Sequence, residues 1–503
     1  MVKKATGVTP KIPAQPLQIL AVASEMYPFI KTGGLADVVG ALPFALTDLS
    51  TPAMPITVTT LIPGYLVVLS ALKEFEVVLN LPKYFGGDAK ILRGTAAGVD
   101  LLVLDAPHLF SRAGNPYSDA SGTDWQDNPE RFAALALAAA MIGWGAVKGY
   151  TPDILHAHDW QAALAPAYLH YLGQGQHQPK TVLTIHNLAF QGQFPARTFA
   201  RLGMPEAAYS INGVEYYGSV GYLKAGIQFA HAITTVSPTY AAEICSPQGG
   251  MGLDGLLRVR GDSVSGVVNG IDMAIWDPAS DTDLVRTFDA MHLDNRLANK
   301  RAVEKHFNLP ESDAPLFCIV SRLTWQKGID LVIDAIDEIV ATNTRIVVLG
   351  NGDKALEAAL YAAVGKHPTH VGVHIGYDET ISHLMQGGCD AILVPSRFEP
   401  CGLTQLYGLR YGCVPVVAKV GGLADTVIDA NDAALTAEVA TGIQFHDVSK
   451  DGLKAAINRA VRLYHQPEVW RSIQQAGMRS DVAWRRSAIQ YAKLYRSLLN
   501  TSA

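Results

Sequence analysis

Two cations stand five residues apart in "SRLTWQKG", Arg322 and Lys327, just after the apolar run "LFCIVS". Arginine offers a planar fork to phosphate oxygens and lysine a compact charge, so such a pair can hold a diphosphate at the end of a strand. In isolation it reads equally as two solvated surface cations. A carboxylate follows in "VPSRFEPCGLTQLYGLRYG" (Val394–Gly412). Here the spacing predicts a strand ending at Ser396, a turn through Glu399 and Pro400, and a helix beginning near Gly402. The N–H groups of Gly402 and Leu403, with the Thr404 hydroxyl, would then face an anion beside Glu399. The plainer role for Glu399 is to cap that helix. "FIKTGGLADVVGAL" (Phe29–Leu42) combines a lysine, Lys31, with Gly33 and Gly34 ahead of a helical pattern. That is either an anion site built on the first free N–H groups or a glycine-rich turn with a solvated lysine. "HAHDW" (His156–Trp160) and "IHN" (Ile185–Asn187) end two further strands. Histidines there can bond sugar hydroxyls, although a single one is more often a satisfied structural residue. None has the carboxylate spacing of HExxH, so zinc is not invoked.

These side chains need strand ends to stand on. "LQILAVA", "DLLVLDA", "DILHAH", "TVLTIHN" and "AITTVS" alternate with helical patterns in the first half. "LFCIVSRL", "TRIVVLGNG", "VGVHIGY", "DAILVPS" and "VPVVAKVGG" do so in the second. Continuous apolar runs bounded by Gly, Ser, Asn and His predict parallel sheets covered on both faces, with ligands at the carboxyl ends of the strands. The expected architecture is α/β, with two Rossmann-like domains facing a cleft. "VVNGIDMAIWDPASDTD" (267–283) carries turn signals. The expected division is 1–268, then 269–480, with 481–503 as a helix crossing back to the first domain or simply ending the second. No internal repeat is expected.

The chain of 503 residues is too long for one core, and its 49% apolar content supplies buried surface for two. A net charge of −6 argues against a nucleic-acid partner. Five cysteines without regular spacing (Cys245, Cys318, Cys389, Cys401, Cys413) read as thiols of a reducing compartment. The opening "MVKKATGVTPKIPAQP" reads as a loose tail without a signal peptide, which predicts a cytoplasmic protein. "FAALALAAAMIGWGAV" (Phe132–Val147) is short for a membrane span and suits a buried helix. Gly350-x-Gly352-x-x-Ala355 after a strand keeps a nicotinamide enzyme as a rival, while P-loop and G-x-S-x-G runs do not occur.

In order and combination, "ASEMYPFIKTGGLADVVGALP", "GNPY", "HAHDWQAALAPAY", "TIHNLAFQGQF", "VVNGIDMAIWDP", "SRLTWQKGIDL", "IGYDE" and "RFEPCGLTQLYGLRYG" make the chain resemble the bacterial glycogen synthases and related plant starch synthases. The resemblance implies a metal-independent GT-B enzyme without cofactor. Such an enzyme moves glucose with retention from ADP-glucose to the non-reducing 4-hydroxyl of an α-1,4-glucan. By the same likeness, Arg322 and Lys327 neutralise the leaving diphosphate and Glu399 lies near the transferred glucose. His158 contacts the sugar, and Tyr377 stacks on adenine. Lys31, Gly33, Gly34, Asn269, Cys401, Gly402, Leu403 and Thr404 surround the donor. Tyr117, Trp125 and Asp127, from the loop "GNPYSDASGTDWQDNPERF", join His186 and Asn187 as acceptor contacts; packing of that loop is the alternative. Many retaining GT-B enzymes carry a second glutamate eight positions after the first, where this chain has Tyr407. Glu399 as nucleophile and same-face attack both remain open. An epimerase or a non-catalytic glucan binder of the same fold are the other rivals.

Overall fold

The computed structural model describes residues 16–500 apart from 52, 53 and 120. The opening tail therefore lies outside the described residues. The chain divides into two compact units. One contains the described residues up to Ile185, Ala189–Ile233, and those from Ala488; the other contains His186–Leu188 and Thr234–Ser487.

In the first unit, β1 (Leu17–Val22) is flanked in parallel by β2 (Ile56–Pro63) and β6 (Ile154–His158). Beyond β2 come β5 (Val99–Asp105), β4 (Gly87–Ala96) and β3 (Phe75–Tyr84). Beyond β6 come β7 (Lys180–Ile185) and β11 (Ala232–Thr235), giving the order β11-β7-β6-β1-β2-β5-β4-β3. The expected parallel sheet runs through β7, β6, β1, β2 and β5, and an edge where β3, β4 and β5 pair antiparallel extends it. This edge was not legible because β3 is largely exposed and has no continuous apolar run. A small antiparallel sheet is made of β8 (Gln193–Pro195), β9 (Glu215–Tyr216) and β10 (Ser219–Gly221).

The helix Asn128–Gly143 takes up most of the Ala-rich run and is buried nearly all round, from Phe132 to Ile142. Among the described residues no helix is long and apolar enough to cross a membrane. In the last helix, Trp484–Asn500, the buried Tyr495 bonds through its hydroxyl to His156 Nδ1 at 2.8 Å.

The second unit holds the short β12 (Val264–Gly266) and a six-stranded sheet. Its strands are β13 (Leu316–Val320), β14 (Arg345–Gly350), β15 (Val371–Ile375), β16 (Ala391–Val394), β17 (Val414–Ala418) and β18 (Ile443–Phe445). They run parallel in the order β15-β14-β13-β16-β17-β18. Alternation explains the apolar runs. Phe317, Ile319, Ile346 and Val348 enter one core with Ile329, Val332 and Ile336. Leu316, Cys318, Val347 and Leu349 enter another with Val303 and Met385. Both faces are covered, so most strand positions are apolar.

Candidate active site

Strand order reverses beside β13, between β14 on one side and β16 on the other. In an open parallel sheet that point leaves a crevice at the carboxyl ends. The loop after β13 carries Arg322 and Lys327, and the loop after β16 carries Glu399. The two loops are zipped together. Arg397 N–H donates to Gln326 O at 2.9 Å, and Gln326 Nε2 to Phe398 O at 3.2 Å. The Arg397 guanidinium forks onto Asp330, both bonds at 2.7 Å, and lies over Trp325. Gly328, at φ +68°, lies so close to Pro395 O that a Cβ would sit 2.1 Å from it. Only glycine permits that approach.

This packing brings the Lys327 ammonium onto Glu399 Oε2, which also accepts from the Ser396 hydroxyl at 2.9 Å. Glu399 is 6% exposed. Its Oε1 takes no hydrogen bond among the described residues. Arg322 is exposed and its side chain makes no ion pair with a described residue. The helix expected near Gly402 starts at Thr404 with Leu403 as N-cap, because Gly402 (φ +75°) is still turning. Cys401 is buried, accepts a bond from the Asn269 backbone, and has its thiol pushed up to about 12 by burial. It is therefore a neutral neighbour rather than a nucleophile. The buried Asn269 Oδ1 has no hydrogen-bond partner among the described residues. Tyr377 stands apart, 71% exposed after β15, its hydroxyl donating to Glu379 at 3.1 Å.

The first unit repeats the scheme. Its strand order reverses beside β1, between β2 and β6. The loop after β1 leads to Lys31, Gly33 and Gly34, all exposed, and the helix Gly34–Thr47 follows. Lys31 pairs with Asp37 at 2.8 Å. His158 ends β6, and Asp159 turns the chain sharply at φ +56°. Backbone held there by a non-glycine residue is strained and is common at functional sites. His186 and Asn187 follow β7 in sequence and belong to the second unit.

His158 is 1% exposed, and burial lowers its pKa to about 3. It can offer hydrogen bonds but cannot shuttle protons near neutrality. Below pH ~6.5 the unfolded chain protonates this histidine while the folded protein does not, so acidification from ~6.5 toward ~3 destabilises the fold. The unfolding free energy from denaturant titration should fall by up to about 1.4 kcal/mol per pH unit in that window, and His158→Gln should remove this component.

The acceptor candidates form a tethered loop. Arg112 forks onto Asp127 at 2.9 and 2.7 Å and covers Trp125 at 4.9 Å. Tyr117 donates its hydroxyl to Glu25 at 2.6 Å. The expectation of no repeat fails over nine residues. Lys31–Val39, "KTGGLADVV", recurs as Lys419–Val427, "KVGGLADTV", differing only at Thr32/Val420 and Val38/Thr426. Tyr407, eight after Glu399, stacks on Trp276 at 3.6 Å, and Trp276 stacks in turn on His383. That position serves packing. Asp281, Asp283 and His383 are close enough to share an ion, but Asp281 is already bonded to His383 at 2.7 Å and to Tyr411 at 2.5 Å.

The nicotinamide reading fails on geometry. A Cβ on Gly350 would lie 1.9 Å from Ser321 O, and one on Gly352 2.3 Å from Leu323 O. These glycines serve chain packing. The next helix, Lys354–Lys366, already has its N–H groups capped by Asp353 at 2.7 and 3.4 Å.

Comparison with known proteins agrees with this geometry. A family described as starch synthase catalytic domain matches residues 18–259, and glycosyl transferases group 1 matches 301–476. The chain is 56% identical over 484 residues to a glycogen synthase of Mesorhizobium japonicum, covering 96% of this chain and 99% of that protein. It is 55% identical over 483 residues to a glycogen synthase of Acidiphilium cryptum, with coverage of 96% and 99%. The catalytic domain of starch synthase IV from Arabidopsis thaliana, solved with ADP and acarbose, superposes with a TM-score of 0.85 at 30% identity, covering 96% and 99%.

Proposed function

Because the chain belongs to the glycogen synthase family, glucosyltransferases of GT-B fold that elongate α-1,4-glucans, we propose that Glu399, Lys327 and Arg322 carry the transfer here. The donor is ADP-glucose, the acceptor the non-reducing 4-hydroxyl of glycogen, and the configuration is retained. The observation behind this assignment is the buried Lys327–Glu399 pair at the switch point of the second sheet.

As the bond from glucose to the diphosphate stretches, positive charge grows at the anomeric carbon and negative charge on the leaving phosphate. Lys327 and Arg322 stabilise the phosphate where that charge develops. Glu399 is oriented by two bonds on one oxygen, and its other oxygen serves the anomeric centre. Lys31, Gly33, Gly34, Asn269, Cys401, Gly402, Leu403 and Thr404 bind the donor, with Tyr377 on the adenine and neutral His158 on sugar hydroxyls. Trp125, Asp127, His186 and Asn187 meet the glucan, and Tyr117 contributes through the loop it anchors. The reading carries a cytoplasmic location, supported by the sparse, irregularly spaced cysteines.

Transfer to glycogen from ADP-glucose should greatly exceed that from UDP-glucose, with α-linked product. Preference for UDP-glucose would overturn the donor assignment. Lys31→Ala should raise the donor KM by about tenfold, the loss of one charge-assisted bond, with the glycogen KM nearly unchanged. The opposite pattern would move Lys31 to the acceptor side.

A further inference from the structure

The buried carboxylate of Glu25, three residues past β1, belongs to none of the roles above. It is 3% exposed, yet four donors converge on it. The Thr32 hydroxyl reaches Oε1 at 2.8 Å and the Thr32 N–H reaches Oε2. The Gly33 N–H also bonds to it, and the Tyr117 hydroxyl donates to Oε1 at 2.6 Å. Tyr117 is fixed in turn. Ser24 Oγ lies 2.8 Å from its hydroxyl, and its carbonyl accepts from Trp125 N–H at 3.0 Å and Asn128 Nδ2 at 2.8 Å. One side chain thus ties the Lys31–Gly34 loop to the 114–127 loop, 92 residues from itself. The second copy of the nine-residue repeat is held in a related way. Gly421, which corresponds to Gly33, donates its N–H to the distant Glu243 at 2.9 Å.

We propose that Glu25 is a positioning residue that couples the donor loop at Lys31–Gly34 to the acceptor loop at 114–127, so that ordering of either loop by its substrate favours the other. The inference rests on the assignment of those loops to donor and acceptor. A carboxylate offers only acceptors, and every neighbour bonded to it is a donor. Burial makes the arrangement stringent, because any oxygen replaced by an N–H group faces a donor that it cannot satisfy. By reciprocity, the factor by which bound donor tightens glucan binding must equal the factor by which glucan tightens donor binding.

The test is a matrix of initial rates of ADP release, varying ADP-glucose and glycogen together. It compares the full chain with Glu25→Gln, Thr32→Val, Tyr117→Phe and the Thr32→Val/Tyr117→Phe double variant. Glu25→Gln should raise the KM for both substrates by about tenfold, with kcat changed much less. Thr32→Val and Tyr117→Phe should each raise both values, and the double variant should be little worse than the more impaired single, because both act through Glu25. A merely structural carboxylate would instead lower the amount of active enzyme and the unfolding midpoint and leave both KM values alone. That result, a change confined to one substrate, or multiplicative effects in the double variant would overturn the coupling. If Glu25→Gln fails to fold, the Thr32/Tyr117 cycle decides, since it leaves the carboxylate in place. Failure of the coupling alongside a raised donor KM in Lys31→Ala rejects only this inference. An unchanged donor KM in Lys31→Ala rejects the donor-loop assignment itself.

Discussion

Glu399→Gln is expected to lower kcat for glucosyl transfer by about 10³-fold, the scale of removing a preorganised charge from a reacting centre, while ADP-glucose still binds. The substitution keeps the shape of the side chain and removes its charge. On the proposed assignment the donor's diphosphate is held by other groups, Lys327, Arg322 and backbone N–H groups, so donor affinity should survive. It should even rise, because Lys327 no longer has Glu399 Oε2 as a competing anion. Rapid-quench turnover combined with calorimetric titration of ADP-glucose separates the two effects. Turnover within tenfold of the unaltered enzyme would remove Glu399 from the chemistry.

Lys327→Ala should produce a double loss. Activity should fall by about 10²–10³-fold in kcat/KM, because the ammonium stabilises charge that grows on the leaving phosphate. Stability should fall as well, by about 2–4 kcal/mol, because truncation leaves the buried Glu399 without its counter-charge. The lower part of the range for broken buried pairs applies, since the lysine side chain is 17% exposed against 7% for the glutamate. The double variant Lys327→Ala/Glu399→Gln should recover much of the stability without recovering activity, because no lone charge then remains buried. Urea unfolding of the four proteins, alongside their steady-state rates, reads both effects. A Lys327→Ala enzyme as stable as the parent would mean that Glu399 finds other compensation.

The sequence showed the strands on which these residues stand wherever a strand is covered on both faces. Runs such as "LFCIV" and "IVVL" are apolar at every position, because alternate residues enter different cores. It did not show β2, which is largely buried but has threonines that break its apolar run, nor β3 and β4, whose exposed faces interrupt the signal, nor β18, which has only three residues. Glu25 was missed for a different reason. A lone glutamate in "ASEMYP" has no local partner, and the donors that define it lie 7 and 92 residues away.

The residues alone therefore determined the chemical types present, their places at strand ends, and the α/β class, since apolar periodicity and turn residues are local properties of the chain. Only the tertiary structure decided which of them meet. Strand order beside β13 brings loops more than seventy residues apart into one crevice, so that Lys327 and Glu399 become a pair. Burial then decided their character. It turned His158 from a possible proton carrier into a neutral hydrogen-bonding group, and made Glu25 the junction of two loops. Pairing and desolvation depend on neighbours distant along the chain, and no local stretch of sequence contains them.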